Sequence, residues 1–229
     1  MNNENKIILD LCGGTGAWSR PYKKAGYDVK VITVPEYDIM YTTFEDNKIN
    51  FRAGDDTGVA LVIDPKDVYG ILAAPPCTMF SFVRLSPKRP RDLTNSMALV
   101  NKCFEIISAC QRTLHNQFQK LPPLKFWALE NPNLGMLKWH IGKPVYTFQP
   151  YEFGDGYKKN TALWGYFNEP VKLEKWVMKN DKKFDALLMS EIKALKSPVD
   201  EVPGNKRTRK ELRSITPAGF ANAFFKANQ

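Results

Sequence analysis

Cysteine and histidine are scarce in this 229-residue chain, which has four of the first and two of the second. Cys12, Cys77, Cys103 and Cys110 form no CxxC pair and have no histidine cluster around them. Neither a zinc site nor a disulfide framework is therefore expected, and unbridged thiols are the default. Long apolar runs are missing too: none approaches the roughly 20 residues needed to span a bilayer. The opening Met1-Asn2-Asn3-Glu4-Asn5 lacks the charged-then-apolar order of a signal peptide. The expectation is a cytoplasmic protein with no membrane partner and no metal. Internal repeats and low-complexity tracts are absent. Acidic residues are in deficit, 24 against 33 Lys and Arg, for a net charge of +9. That excess suggests a polyanionic partner, because Lys and Arg neutralise phosphates and release counterions. It gathers at Lys88-Arg89-Pro90-Arg91, Lys158-Lys159 and Lys206-Arg207-Thr208-Arg209-Lys210.

What is present is ordinary globular material, 43% hydrophobic and 25% charged, enough for one principal domain with a small appendage. Lys6 to Leu11 reads as a short apolar strand, followed by Gly13-Gly14-Thr15-Gly16 and a helix-compatible stretch that Gly26 ends. Val29 to Val34 alternates like a second strand, which completes a βαβ unit and predicts a parallel sheet. Val59 to Ile63, Val68 to Ala74 and Phe126 to Leu129 are further candidate buried strands. Thr94 is a candidate cap for a helix to about Phe118, because Met97, Val100, Phe104, Ile107 and Leu114 recur at helical spacing. A helix is also expected over Phe184 to Leu195, and a C-terminal one from Thr216.

Two strand ends carry the chemistry. In Asp10-Leu11-Cys12-Gly13-Gly14-Thr15-Gly16, the glycines let the backbone approach an adenosyl ligand closely and lead toward a helix N-terminus. Asp10, Cys12, Gly13, Gly14 and Gly16 are the candidate cofactor residues here, although nicotinamide and flavin cofactors use similar turns. Glu36 and Asp38 both lie where an acidic residue would bind ribose hydroxyls, and the sequence does not choose between them. Asp55 or Asp56 would receive an adenine amino group, or simply form a turn. Farther on, Ala73-Ala74-Pro75-Pro76-Cys77-Thr78-Met79-Phe80-Ser81 ends an apolar strand in a stiff double proline. It presents Cys77 at the carboxyl edge of the sheet, where α/β proteins bind ligands. A thiol there can attack as thiolate, or it can pack as a small hydrophobe. Leu129-Glu130-Asn131-Pro132 places a carboxyl group at the same edge if Phe126 to Leu129 is a neighbouring strand.

In this order, the DLCGGTG turn, Pro75-Pro76-Cys77 with Phe80-Ser81, and Glu130-Asn131-Pro132 resemble the first, nucleophile and ENV motifs of the DNA cytosine-5 methyltransferases, in particular compact members found in bacteriophages. Phe153 to Thr161 sits where that family has a glutamine- and arginine-rich segment, and Arg213-Ser214-Ile215-Thr216-Pro217 resembles its RxLTP segment. The resemblance implies a Rossmann-like class I methyltransferase fold, mostly parallel with helices on both faces, and S-adenosylmethionine as cofactor with Pro75 beside it. It implies DNA as partner, a monomer to which a partner protein could add selectivity, and, for a phage protein, the cytoplasm of the bacterial host.

The implied mechanism has Cys77 add to cytosine C6 while Glu130 assists at N3. Pro76, Ser81, Arg84, Arg89, Asn131 and Lys159 are the implied substrate residues, with Lys88 and Arg91 as further phosphate contacts. The target base must be flipped out or already unpaired. Lys159 and Thr161 stand where the family has arginines, and Lys lacks the planar bidentate fork. The division expected is residues 1–167 for catalysis and cofactor, 168–205 for a reduced target-recognition segment, and 206–229 returning to the catalytic domain. So short a recognition segment predicts a very short or degenerate cytosine context. Amino methyltransferases put Asp or Ser before the prolines and an aromatic after them, where this chain has Ala74 and Cys77. The other competing reading, a non-catalytic DNA-binding module on the same fold, would leave Cys77 and Glu130 without a role.

Overall fold

The computed structural model describes residues 3–82, 90–112, 124–155, 158–172 and 214–229. The expected substrate residues Arg84 and Arg89, Lys88, the helix expected over Phe184 to Leu195, and the basic cluster at 206–210 lie outside them.

A six-stranded sheet forms the centre, built from β1 (Ile7–Leu11), β2 (Asp28–Ile32), β6 (Val68–Ala73), β7 (Phe126–Pro132), β8 (Tyr146–Phe148) and β9 (Thr161–Tyr166). Its strand order is β2-β1-β6-β7-β9-β8. The first four run parallel, and β9 pairs antiparallel with both β7 and β8. The protein is thus α/β with a mostly parallel sheet, compatible with a Rossmann-like fold. Chain order reverses between β1 and β6, because β2 lies on one side of β1 and β6 on the other. Such a reversal opens a crevice beyond the carboxyl ends of the two strands.

Alternate side chains of the central strands feed two cores. Leu9, Leu11, Ile71, Ala73 and Leu129 face α2 (Leu93–Arg112), which turns Val100, Cys103, Ile107 and Cys110 toward them. Ile8, Leu72, Phe126 and Ala128 face α1 (Arg20–Lys24) and α4 (Ala218–Ala227), through Trp18, Tyr22, Phe220 and Phe224. Gly70 makes this second core possible: a Cβ there would lie 2.2 Å from Cζ of Phe126. A reciprocal amide pair ties the chain just past β9 to the C-terminal end of α4. Asn168 N donates to Asn228 Oδ1 at 2.8 Å, and Asn228 Nδ2 donates to Asn168 O at 2.9 Å.

Four expectations need correction. The helix after the glycine turn is only five residues long, because Pro21 sits in its first turn and fits only there. The long helix is capped by Asp92 rather than Thr94, since Asp92 Oδ1 accepts from Asn95 N at 3.0 Å. Its expected continuation past Arg112 lies outside the described residues. Val59–Ile63 is a strand, β5, but it belongs to a separate antiparallel sheet with β3 (Thr43–Glu45) and β4 (Lys48–Arg52), and Val59 and Val62 are exposed. β7 runs on to Pro132, so Glu130 lies within it rather than after it.

Phe220 is buried and stacks on Phe148 with ring centroids 3.9 Å apart, with Trp18, Phe153 and Phe224 around it. Phe220→Ala should lower unfolding stability by about 3–5 kcal/mol, measured as a shift in denaturant midpoint. A change near zero would show that α4 does not close this core.

Candidate active site

The glycine turn is set by what lies beneath it. Asp10 points to the α1 side of the sheet, fully buried, and Ser19 Oγ donates to its Oδ2 at 2.5 Å. A Cβ at Gly13 would fall 2.4 Å from Cγ of Asp10, so Gly13 is required by the buried carboxyl. Gly14 is different: it has φ +55, and a Cβ there would meet nothing within 4 Å. It is the place where the turn's backbone is open to close approach. Gly16 has φ +64 and lies against Val31. Cys12 also takes a left-handed conformation, φ 55, which costs a non-glycine residue about 1 kcal/mol or more and is typical of functional turns. Its thiol neighbours Cys103 of α2. That hydrogen bond, followed by burial, raises the Cys103 thiol well above its ordinary pKa. No disulfide joins any of the four cysteines.

The acidic candidates beyond β2 gather in one place. Tyr37 bridges to Ala53, and Gly54 N donates to Glu36 O at 3.2 Å, which brings the β4–β5 loop with Asp55 beside Glu36 and Asp38. Glu36 is exposed. Asp38 caps a short 3-10 turn by accepting from Met40 N at 2.9 Å. Asp55 is exposed, and Thr57, through its hydroxyl and backbone N–H, holds its carboxyl below the ordinary pKa. Asp56 pairs with Arg52 at 2.6 Å on the rim of the same loop.

At the neighbouring strand end, Ala74 N still donates to Leu11 O at 2.9 Å, and the chain then leaves the sheet through Pro75, which is buried, and Pro76, which is exposed. The half-buried Cys77 follows, and its carbonyl accepts from Phe80 N and Ser81 N at 3.0 and 2.9 Å. Phe80 is buried beneath this turn. Ser81 bridges to Gly135, and Met136 N donates to Phe80 O. Arg91 Nη1 donates to the carbonyls of Met79 and Ser81 at 2.5 and 3.1 Å. The structure thus gives Arg91, expected as a phosphate contact, the task of clamping this turn.

β7 delivers the carboxyl group to the same edge. Asn131 is 1% exposed, and its Nδ2 donates to Pro75 O at 3.0 Å, tying the end of β7 to the double-proline turn. Asn131 is also an expected substrate residue, and its Nδ2 is committed to positioning the cysteine turn. Next to it, Glu130 Oε1 lies 3.3 Å from Lys159 Nζ, with both side chains largely buried. The two attract as charges, but the geometry is not that of a hydrogen bond, so Oε1 remains an unfilled acceptor in a buried place. Asn131 Oδ1 is a second buried acceptor without a hydrogen bond. Asn133 and Asn160 join backbone to backbone and side chain to side chain at 3.0 and 3.1 Å, which fixes the segment carrying Lys159 beside β7. Thr161 is buried and donates to Lys159 O at 2.7 Å, so it shapes the Lys159 turn.

The structure therefore brings the glycine turn, Cys77 and the Glu130–Lys159 pair to the carboxyl ends of three adjacent strands. Sequence reasoning missed Ser19 as the partner of Asp10, because no motif announces a contact between a strand and the start of the helix that packs on it. It named Glu130 and Lys159 but not their pairing, which depends on the antiparallel return of β9. Among the described residues, no group of three or more His, Cys, Asp or Glu side chains is placed to hold a metal ion, and no helix is long and apolar enough to cross a membrane. No protein-family model matches the chain, and no curated protein matches it.

Burial pushes the Asp10 carboxyl up to about 6 from its ordinary 3.8, against the lowering effect of the Ser19 hydrogen bonds. On unfolding the ordinary value returns. Stability is then fully present below about pH 4 and falls as pH rises through about 6, by about 3 kcal/mol in all. Asp10→Asn removes this titration. The variant's melting temperature, relative to that of the wild type, should therefore rise between about pH 4.5 and pH 7.5. An equal difference at both pH values would show that Asp10 is not buried as a carboxyl.

Proposed function

We propose that this protein is an S-adenosylmethionine-dependent methyltransferase that methylates C5 of cytosine in DNA through a covalent bond to Cys77. The observation that carries this reading is the convergence of a glycine turn, a thiol on a double-proline turn and a buried carboxyl–ammonium pair at one switch point of a parallel sheet.

The residues present fit the cofactor: Gly14 leaves the turn open to close approach, and an acidic cluster lies beyond β2 for ribose hydroxyls and the adenine amino group. In this reading Cys12 to Gly16 cradle the ligand, Pro75 borders it, and Asp10 holds the turn from below. Bound S-adenosylmethionine supplies the electrophilic methyl group.

The remaining work belongs to the chain. Cytosine C5 is a weak nucleophile until a nucleophile adds at C6. Cys77 Sγ forms the bond to C6, and the electron pair of the C5–C6 double bond moves toward the N3 side of the ring. Glu130 and Lys159 face that edge. As that pair arrives, N3 takes a proton from the Glu130 carboxyl, and the carboxylate left behind accepts from N3–H and from the exocyclic amino group, while the Lys159 ammonium donates to O2. Lys159 thereby supplies positive charge that a carboxyl alone would supply only as a proton. C5 then takes the methyl group as its bond to the sulfonium sulfur breaks and leaves a neutral thioether; water accepts the C5 proton, the C5–C6 double bond re-forms with Cys77 leaving as thiolate, and N3 returns its proton to Glu130.

With DNA containing 5-fluorocytosine, C5 has no hydrogen to lose, so wild-type protein plus cofactor should gain the mass of one oligonucleotide. Cys77→Ala should gain none. Absence of an adduct with folded, cofactor-binding wild type would refute the C5 mechanism. Glu130→Gln keeps the size of the side chain but loses its charge and its proton. It should lower the single-turnover methylation rate by about 10²-fold or more; a loss of only a few-fold would take Glu130 out of catalysis.

A further inference from the structure

Next to the Cys77 turn lies a surface that the proposed chemistry does not use. Trp139, on α3 (Leu137–Ile141), is 67% exposed, and Leu134 is 59% exposed. The ring of Phe82 lies against Trp139 with centroids 5.4 Å apart and planes at 57°. A single exposed aromatic needs no explanation, but here two rings touch one another and form a patch. Backbone bonds build this ledge directly onto the candidate site. Phe82 N donates to Leu134 O at 3.2 Å, Met136 N to Phe80 O at 2.9 Å, and Trp139 N to Met136 O at 2.9 Å. The turn that presents Cys77 and the ledge that presents Trp139 therefore move as one piece.

Charge indicates what covers the ledge. From Cys77 to Phe82 and from Asn131 to Tyr151 the chain contains no Asp or Glu, while Lys138 and Lys143 flank Trp139. A protein or lipid partner would find the exposed rings acceptable, but two aromatic rings on segments that carry Lys138 and Lys143 and no acidic residue are complementary to a phosphate backbone whose bases are free to stack. In a duplex those base faces are already occupied by their neighbours.

We propose that the Phe82–Trp139 ledge binds an unpaired nucleic-acid strand, stacking a base adjacent to the one presented to Cys77, so that the preferred substrate is single-stranded or locally opened. This rests on the methyltransferase reading for the direction of the strand, but its test does not. Ring stacking supplies affinity with little discrimination among bases, in keeping with a degenerate sequence context.

The test is fluorescence anisotropy of a labelled single-stranded oligonucleotide, about 12 nucleotides long with one cytosine among thymines, and of the same strand annealed to its complement. Neither cofactor nor turnover is needed. Wild type should bind the single strand more tightly than the duplex. Trp139→Ala, at an exposed position and checked for folding by circular dichroism, should weaken single-strand binding about tenfold or more. Trp139→Phe should recover most of the loss. Unchanged affinity in Trp139→Ala, or tighter binding of duplex than of single strand by the wild type, would overturn the proposal. Should the binding result hold while no 5-fluorocytosine adduct forms, the ledge stands and the catalytic reading fails; the converse result separates them the other way.

Discussion

Two consecutive prolines at the end of β6 impose the constraint on which the site depends. Neither Pro75 nor Pro76 has a backbone N–H, so the ladder with β1 ends at the bond from Ala74 to Leu11, and the chain must leave the sheet there. The carbonyl of Pro75 is stranded in a buried place and needs a donor, which Asn131 provides from β7. That bond fixes the relative position of two strand ends. With it come the attitude of the Cys77 turn and, one residue away, the location of Glu130. The stiffness of the prolines and the one buried amide thus act together: the first limits where Cys77 can go, and the second fixes the turn to the strand that carries the carboxyl.

The same economy governs the glycine turn. Asp10 is an expensive residue to bury, and its carboxyl is tolerated because Ser19 and the absence of a side chain at Gly13 make room for it. A motif that looks uniform in sequence therefore divides by cause: Gly13 answers to the protein interior, whereas Gly14 answers to open space outside. Substitution at the two positions would fail for unrelated reasons, one by collision with a buried carboxyl and the other by strain and obstruction at the surface.

Legibility in the sequence followed locality. β1, β6 and β7 were readable because continuous apolar runs with turn residues behind them leave few alternatives, β2 because its residues alternate, and Cys77 and Glu130 because each follows an apolar run. β8 and β9 were not, since an antiparallel return such as Ala128 opposite Gly165 depends on pairing between distant segments. The hairpin of β3 and β4 escaped notice for a different reason. Its burial comes from packing Ile49 and Phe51 against the α2 side of the sheet, and neither the alternation nor the length of Thr43 to Arg52 declares that contact. Arg91 reads as a phosphate ligand because it stands in a basic stretch; its bonds to the carbonyls of Met79 and Ser81, which no local pattern announces, give its Nη1 a second task in the cysteine turn. The pairing of Lys159 with Glu130 was hidden likewise, being set by the register of β9 and the Asn133–Asn160 contact.

The reciprocal amide pair of Asn168 and Asn228 ties the chain just past β9 to the C-terminal end of α4, so that helix is held on the sheet independently of the connection that leads to it. A connection anchored at both ends pays for added length only logarithmically, about 0.6 kcal/mol for each doubling. The connection ahead of α4 is therefore a natural graft point: segments of different length and composition can be exchanged there while α4 stays docked and the strand ends that hold Cys77 and Glu130 keep their register. Selection acting on what such a protein contacts is in this way uncoupled from selection acting on how it folds.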